Sequence, residues 1–357
     1  MDIEAKIGLI KEVGEEIITL DELKELFDKK PHPIAYDGFE PSGQMHIAQG
    51  LMRAINVNKM IKAGCKFKML VADWHAWANN KMDGDLEKIQ VVGKYMIEVW
   101  RASGMDVDNI EFVWANDHVK DLEYHKLVMQ VARNSTLNRI IRTGQIMGRK
   151  ESDLQQASQI LYACMQCADI FHLKADITQL GMDQRKVNVL ARELAPTLGL
   201  RKPVVISHHM LMGLGEPVKT DDTEQKALEM KMSKSNPSSA IFMTDSDELV
   251  KSKIMKAYCP AKTVENNPLA EYLRYIIFQK KESITIKRPE KYGGDLVIEG
   301  YDDFVKKYEE GKIHPADLKT AVAESLNELL EPVREHFKKN ERARELLEKV
   351  SSYKVTR

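Results

Sequence analysis

Apolar positions along this chain repeat with two alternating periods. Near the N-terminus Ile7, Ile10, Val13, Ile17 and Ile18 share one helical stripe, and Pro31 and Pro33 end it, so the first thirty residues predict a helix. Pro33 to Asp37 then predicts a short strand, Gly38 to Gly43 a glycine and proline turn, and His46 to Lys62 a helix that stops at Gly64. Phe67 to Ala72 reads as a second strand. Ile89, Val92, Met96 and Val99 recur at helical spacing from Leu86 to Gly104, and Ile110 to Trp114 returns to the strand pattern. This alternation predicts an α/β fold, a Rossmann-like doubly wound parallel sheet.

Residues 120 to 150 interrupt the rhythm with a long helical stretch carrying Arg133, Arg139, Arg142, Arg149 and Lys150, which reads as a helical insertion of about 118–150 between two halves of the sheet. Alternation resumes with a helix around Ser158 to Phe171, a turn at Gly181, a helix from Gln184 to Leu194 and a strand at Pro203 to Ile206. Beyond Ser246 the pattern is mainly helical, with a basic loop at Lys280 to Lys291 and a charged helix after Pro315. The boundary falls near 230–250, giving units 1–240 and 241–357. A length of 357 residues suits one large and one smaller unit.

Composition narrows the class. With 43% hydrophobic and 30% charged residues the chain is globular, and no apolar run approaches the roughly 20 residues of a membrane span. The acidic, amphipathic start does not resemble a signal peptide, so the expected location is cytoplasmic. A net charge of −1, from 53 basic and 54 acidic residues, gives no global nucleic-acid signature; any such contact must come from a local patch. Of four cysteines only Cys164 and Cys167 are close, and without a second pair or a nearby histidine at metal spacing they read as two buried thiols one helical turn apart. No metal-ligand set is predicted.

Three groups of residues carry chemistry. Lys231-Met232-Ser233-Lys234-Ser235, followed by Asn236 and Pro237, is a poor helix former with two lysines three apart, suited to neutralising a polyphosphate. Pro41-Ser42-Gly43 to Gln49 lies at the first strand-to-helix turn, where free N–H groups and the helix dipole favour phosphate, Gly43 permits close approach, and His46 can donate to phosphate oxygens. It is neither a Walker A loop nor a GxGxxG motif. Tyr162, Gln166 and Asp169, at i, i+4 and i+7, put a polar stripe on one helix face between Leu161, Cys164, Cys167, Ala168 and Ile170, which points to a ligand-facing stripe. Asp183 reads as the N-cap of the helix starting at Gln184. His75, at a strand end, reads equally as pocket or core.

The histidine and lysine motifs resemble the HIGH and KMSKS signatures of class I aminoacyl-tRNA synthetases. The runs AYDGFEPSGQMHIAQG, LVADWHAW, LYACMQCADI, LGMDQRK, KAYCPA, TIKRPEKYGGDL and HPADLKTAVAE narrow the resemblance to tyrosyl-tRNA synthetases of the archaeal and eukaryotic type, from about residue 30 to 335. The HIGH copy reads HIAQ: Ala48 keeps the close approach, while Gln49 can hydrogen bond but carries no charge.

The resemblance implies that L-tyrosine and ATP, with Mg²⁺ brought by ATP, form tyrosyl-adenylate and pyrophosphate before tyrosine passes to the 3′-terminal ribose of tRNA(Tyr). It implies that Tyr36 and Asp169 hold the substrate phenol and that Tyr162, Gln166 and Gln184 hold its ammonium. It further implies that Gly43, His46, Gln49, Asp183, Lys231, Ser233 and Lys234 bind ATP, with His46, Lys231 and Lys234 catalytic. For tRNA it implies Arg142, Arg185 and Lys186 at the acceptor end, residues that read equally as solvated cations. Asp317 and Phe278 would meet the anticodon in a helical C-terminal anticodon-binding domain. A homodimer joined through the helix around 120–140 is implied as well. Rival readings are a tryptophanyl-tRNA synthetase, disfavoured because an indole has no para hydroxyl for Asp169, and a non-catalytic synthetase-like RNA-binding protein, which has no use for a polyphosphate loop.

Overall fold

The computed structural model describes residues 1–148, 156–217, 230–232, 234 and 236–354. Strands β1 (Glu16–Ile18), β2 (Ile34–Phe39), β3 (Lys66–Val71), β4 (Ile110–Trp114), β5 (Ile177–Gly181) and β6 (Val204–His208) form one sheet in the order β1-β6-β5-β2-β3-β4. All neighbours are parallel except β1 on β6. The chain builds outward from β2 to β4 on one side and then returns to lay β5 on β2's other edge. Strand order therefore reverses between β2 and β5, which opens a crevice beyond their carboxyl ends.

Side-chain alternation assigns the two faces. Ala35, Phe67, Met69, Ile177 and Ile206 pack into a large core, while Tyr36, Leu70 and Leu180 face a smaller one shared with the helices Ala157–His172 and Arg185–Leu194. β5, buried at all five residues, was hidden in the sequence behind the turn at Gly181.

The predicted N-terminal helix is corrected to two, Ile3–Lys11 and Leu20–Lys29, with β1 between them. Gly14 abuts the Ile206 side chain, and the β-branched pair Ile17-Ile18 registers against Ile206 and Val205 at the open sheet edge. Thr19 then starts the second helix through a capping box with Glu22. The insertion is likewise not one long helix. Among the described residues it comprises Ala115–His118, Leu122–Arg133 and Leu137–Thr143, restarted by the caps Asp121 and Thr136. Arg149 and Lys150 lie outside the described residues.

After Ser246 come helices Asp247–Lys256, Pro268–Tyr275, Gly300–Glu309, Pro315–Lys339 and Glu341–Ser352. The predicted basic loop contains part of a two-stranded ribbon, β7 (Ile284–Ile286) and β8 (Leu296–Ile298). Arg288 supports its turn by donating to the Gly294 carbonyl (2.9 Å). The larger core is continuous from Ile7 to Val350 and so includes residues on both sides of position 240. His209, just after β6, lies between Glu15 (3.3 Å) and Glu271 (3.1 Å) and stacks on Tyr275 at 4.4 Å. Burial acts to lower its pKa, but the two carboxylates raise it to about 9. Among the described residues no helix is long and apolar enough to cross a membrane.

Candidate active site

The crevice at the β2/β5 reversal is a cavity lined by Tyr36, His46, Gln49, His75, Tyr162, Gln166, Asp169, Asp183, Gln184 and Lys231, among others. Residues far apart in sequence thus share one volume because the sheet delivers β2, β3 and β5 to the same edge.

Its deep end is built by the helix Ala157–His172. Tyr162, Gln166 and Asp169 all reach the cavity as their spacing predicts, while Leu161 points away and is 50% exposed. Gln166 Nε2 donates to Gln184 Oε1 (3.0 Å), and Gln184 Nε2 donates to the Ile146 carbonyl (3.0 Å), which fixes both amides. Tyr162 meets the His75 ring edge-on at 5.1 Å. Asp169 is fully buried with Oδ2 at 2.9 Å from His75 Nε2 and Oδ1 at 3.1 Å from His118 Nδ1. Burial alone would raise its carboxyl, yet the two imidazoles hold it well below the usual carboxylate range. The same charge, after burial, pushes the Tyr36 phenol up. The reading of His75 as pocket or core resolves to both: it is buried and lines the cavity. Cys164 and Cys167 are free, buried thiols on this helix, and burial pushes Cys164 up to about 11.

The mouth of the cavity is built by the turn after β2. Gly43 adopts φ +125, a conformation L side chains rarely enter. The predicted helix from His46 begins instead as a π-helical turn, Ala48–Met52, before Arg53–Lys62. A side chain at Gly50 would collide with Met243, which is why the chain comes this close. Burial, with Lys234 and Lys231 adding, pushes His46 down to about 3, so near neutral pH it is a neutral imidazole. Lys234 Nζ donates to Ser42 Oγ (3.2 Å), and burial, opposed by Glu40, pushes its ammonium down to about 7. Lys231 Nζ pairs with Asp183 Oδ2 at 3.1 Å. Asp183 does not cap the helix Arg185–Leu194, whose N-cap is Gln184; it projects into the cavity beside Gly181, where a Cβ would lie 2.6 Å from Asp183 Oδ1. Ser233 lies outside the described residues.

Backbone pairing fixes the start of the lysine segment. Met232 N donates to the Leu211 carbonyl (3.0 Å) and Gly213 N to that of Met230 (2.8 Å). Beyond it, Ile47 N donates to the Ile241 carbonyl and Met243 N to that of Met45, both at 2.9 Å. The loop bearing His46 and the segment following Lys234 are therefore one piece of hydrogen-bonded backbone.

The residues predicted for tRNA lie outside the cavity. Arg142 is exposed, Arg185 is paired with Glu16 (2.8 Å), and Lys186 bonds the Gln145 side chain. Asp317 occupies the first turn of Pro315–Lys339, and Phe278 is half-buried against the larger core.

A deep end lined by buried polar groups, a mouth carrying His46 and Lys231, and the signature motifs can be compared with known proteins. The family model "tRNA synthetases class I (W and Y)" matches residues 28–331. A tyrosine–tRNA ligase 1, cytoplasmic, of Arabidopsis thaliana is 52% identical over all of this chain and 90% of its own. The chain belongs to the tyrosyl-tRNA synthetase family. The tyrosine–tRNA ligase 2, cytoplasmic, of the same plant is 54% identical over 99% of this chain and 46% of its own, so this chain spans about half the length of that relative. The crystal structure of a tyrosyl-tRNA synthetase complexed with L-tyrosine from Pyrococcus horikoshii superposes with a TM-score of 0.90 at 39% identity, covering 98% of this chain and 100% of that one.

Two features of this site escape sequence reading. His118 contacts Asp169 from 51 positions away, a separation with no periodic signature. On the sheet's other face, Arg53 meets Asp37 (3.0 Å), Gln179 (2.9 Å) and His208 (2.6 Å), all buried, and Arg53, Asp37 and His208 line the cavity. Burial pushes Asp37 up to about 6 against the Arg53 guanidinium. The signal available was β-strand alternation: Asp37 follows Tyr36 and must face the opposite side.

Proposed function

We propose that this protein is a tyrosine–tRNA ligase, activating L-tyrosine with ATP to tyrosyl-adenylate and pyrophosphate and then charging the terminal ribose of tRNA(Tyr). The observation that carries this is a buried, ionised Asp169 beside Tyr36 in the same cavity as Lys231 and His46. Tyr36 and Asp169 bind the phenol, a pairing that phenylalanine would leave unsatisfied at a cost of about 1–3 kcal/mol per buried group. Tryptophan offers no para hydroxyl, which disfavours that substrate. Tyr162, Gln166 and Gln184 orient the ammonium so that the carboxylate faces the cavity mouth, with His75 behind.

At the mouth, Gly43, His46 and Gln49 receive ATP with its Mg²⁺, and Asp183 accepts from the ribose. Lys231, Ser233 and Lys234 meet the polyphosphate, the two lysines stabilising charge on departing pyrophosphate. In the resting chain Lys231 is paired with Asp183 and Lys234 with Ser42, so binding exchanges these partners for ribose and phosphate. Little covalent work falls to the protein, and positioning and charge carry the rate.

For tRNA we assign Arg142, Arg185 and Lys186 to the acceptor end and Asp317 with Phe278 to the anticodon, within 241–357 as an anticodon-binding unit. Two chains pair through the insertion, a reading supported by Leu122, Met129 and Leu137, each more than 60% exposed there. The cytoplasm is the assigned compartment. Tyrosine-dependent ATP–pyrophosphate exchange tests the whole reading: signal with tyrosine is expected, and a tryptophan-only signal, or none with either amino acid, overturns it.

A further inference from the structure

The acid that selects the phenol is held by His75, His118 and the Tyr124 hydroxyl, and of these only His75 touches the cavity. His75 lines the cavity, whereas His118 does not. His118 ends the helix Ala115–His118, directly after β4. That short segment is tied down, because Asp73 Oδ1 accepts from Asn116 N (3.0 Å) and Trp74 Nε1 donates to Asn116 Oδ1 (3.1 Å). The His118 ring is wedged against His172 at 4.7 Å and Tyr124 at 5.3 Å. Its Nδ1 is therefore delivered to Asp169 Oδ1 at 3.1 Å by a rigid frame.

A carboxylate only accepts, so Nδ1 must carry the proton at this contact. Asp169 is fully removed from solvent, and an isolated anion there would take up a proton and cease to be a strong acceptor. The contact also restrains the plane of the carboxylate, which lines the cavity. We infer that His118 is a positioning residue for amino-acid selection: from behind the pocket it keeps Asp169 ionised and oriented so that the substrate hydroxyl meets a charged acceptor. The inference rests on the proposed tyrosine activation and adds a residue that never touches the substrate.

The consequence is a split in kinetic effects. Losing a hydrogen bond to a charged group weakens tyrosine binding, while the nucleotide half, built on other elements, is untouched. Phenylalanine draws nothing from the Asp169 charge, so its use should hardly change.

The test is ATP–pyrophosphate exchange with tyrosine and phenylalanine on three variants. His118→Ala should raise the KM for tyrosine by about ten- to a hundred-fold, leave the KM for ATP within about two-fold, and lower the tyrosine-to-phenylalanine ratio of kcat/KM by the same factor as the tyrosine loss. His118→Asn places an amide N–H where Nδ1 stood and should keep the wild-type ratio, whereas His118→Gln moves that donor outward and should behave as alanine. The asparagine–glutamine contrast decides the matter even if the alanine variant fails to fold. An unchanged ratio in His118→Gln, or equal losses in both amide variants, overturns the inference. No tyrosine-dependent exchange by the wild-type protein overturns instead the functional reading beneath it.

Discussion

At the scale of single residues, the site divides charge between groups held ionised and groups held near neutrality. Asp169 is kept anionic by two imidazoles, while burial pushes Lys234 down to about 7 and His46 down to about 3. A half-buried ammonium with that little proton affinity gains most when a polyphosphate arrives, since the incoming charge restores it. Lys234→Ala should accordingly lower the rate of tyrosyl-adenylate formation by about a hundred-fold or more while leaving tyrosine affinity within about two-fold, measured by rapid-quench activation and by tyrosine titration. Comparable losses in both would remove Lys234 from the transition state. Residues at this scale were legible where chemistry coincides with a local motif: Tyr162, Gln166 and Asp169 share a helix face, and the lysines share a loop. His118 and Arg53 were not, because their meaning lies in a partner reached only through sheet order.

At the scale of elements, turns after strands carry the function. β2 ends in a turn whose Gly43 holds φ +125, and the following helix starts with a π turn in which Gly50 faces the Met243 side chain. Gly43→Ala should cost about 1–3 kcal/mol of stability through backbone strain and raise the KM for ATP more than that for tyrosine; calorimetry and exchange kinetics check the two effects. Strand and helix periods located β2, β3, β4 and β6, since these have apolar runs bounded by clear breaks. The N-terminal stripe misled because Ile17 and Ile18 continue a helical spacing while their β-branched shape suits the open edge of β6. Periodicity there could not see the neighbour that decides the competition.

At the scale of the whole molecule, the N-terminal segment, the end of β6 and the helix Pro268–Tyr275 meet on one imidazole. His209 is raised to about 9 by Glu15 and Glu271 despite its burial. With a raised folded-state value, its contribution to stability is full below its ordinary value of about 6.5 and is lost as pH rises through about 9. The difference in Tm between the protein and its His209→Asn variant should therefore be largest near pH 6 and shrink by pH 10, as followed by scanning calorimetry. A difference independent of pH would mean that stacking on Tyr275, not charge, supplies the contribution.

The backbone bonds that join the His46 turn to the segment after Lys234 have a thermodynamic consequence. Ile47 and Met45 flank His46, and Ile241 and Met243 follow Lys234 within nine residues, so the four lie on one small paired unit. Energies measured at His46 and at Lys234 should not add: the His46→Ala, Lys234→Ala double variant should lose less than the product of the single losses, by about 0.5–3 kcal/mol of coupling. Nucleotide binding would then act on a single cooperative part rather than on two independent hands, and any residue exchange in one motif would rescale the value of the other.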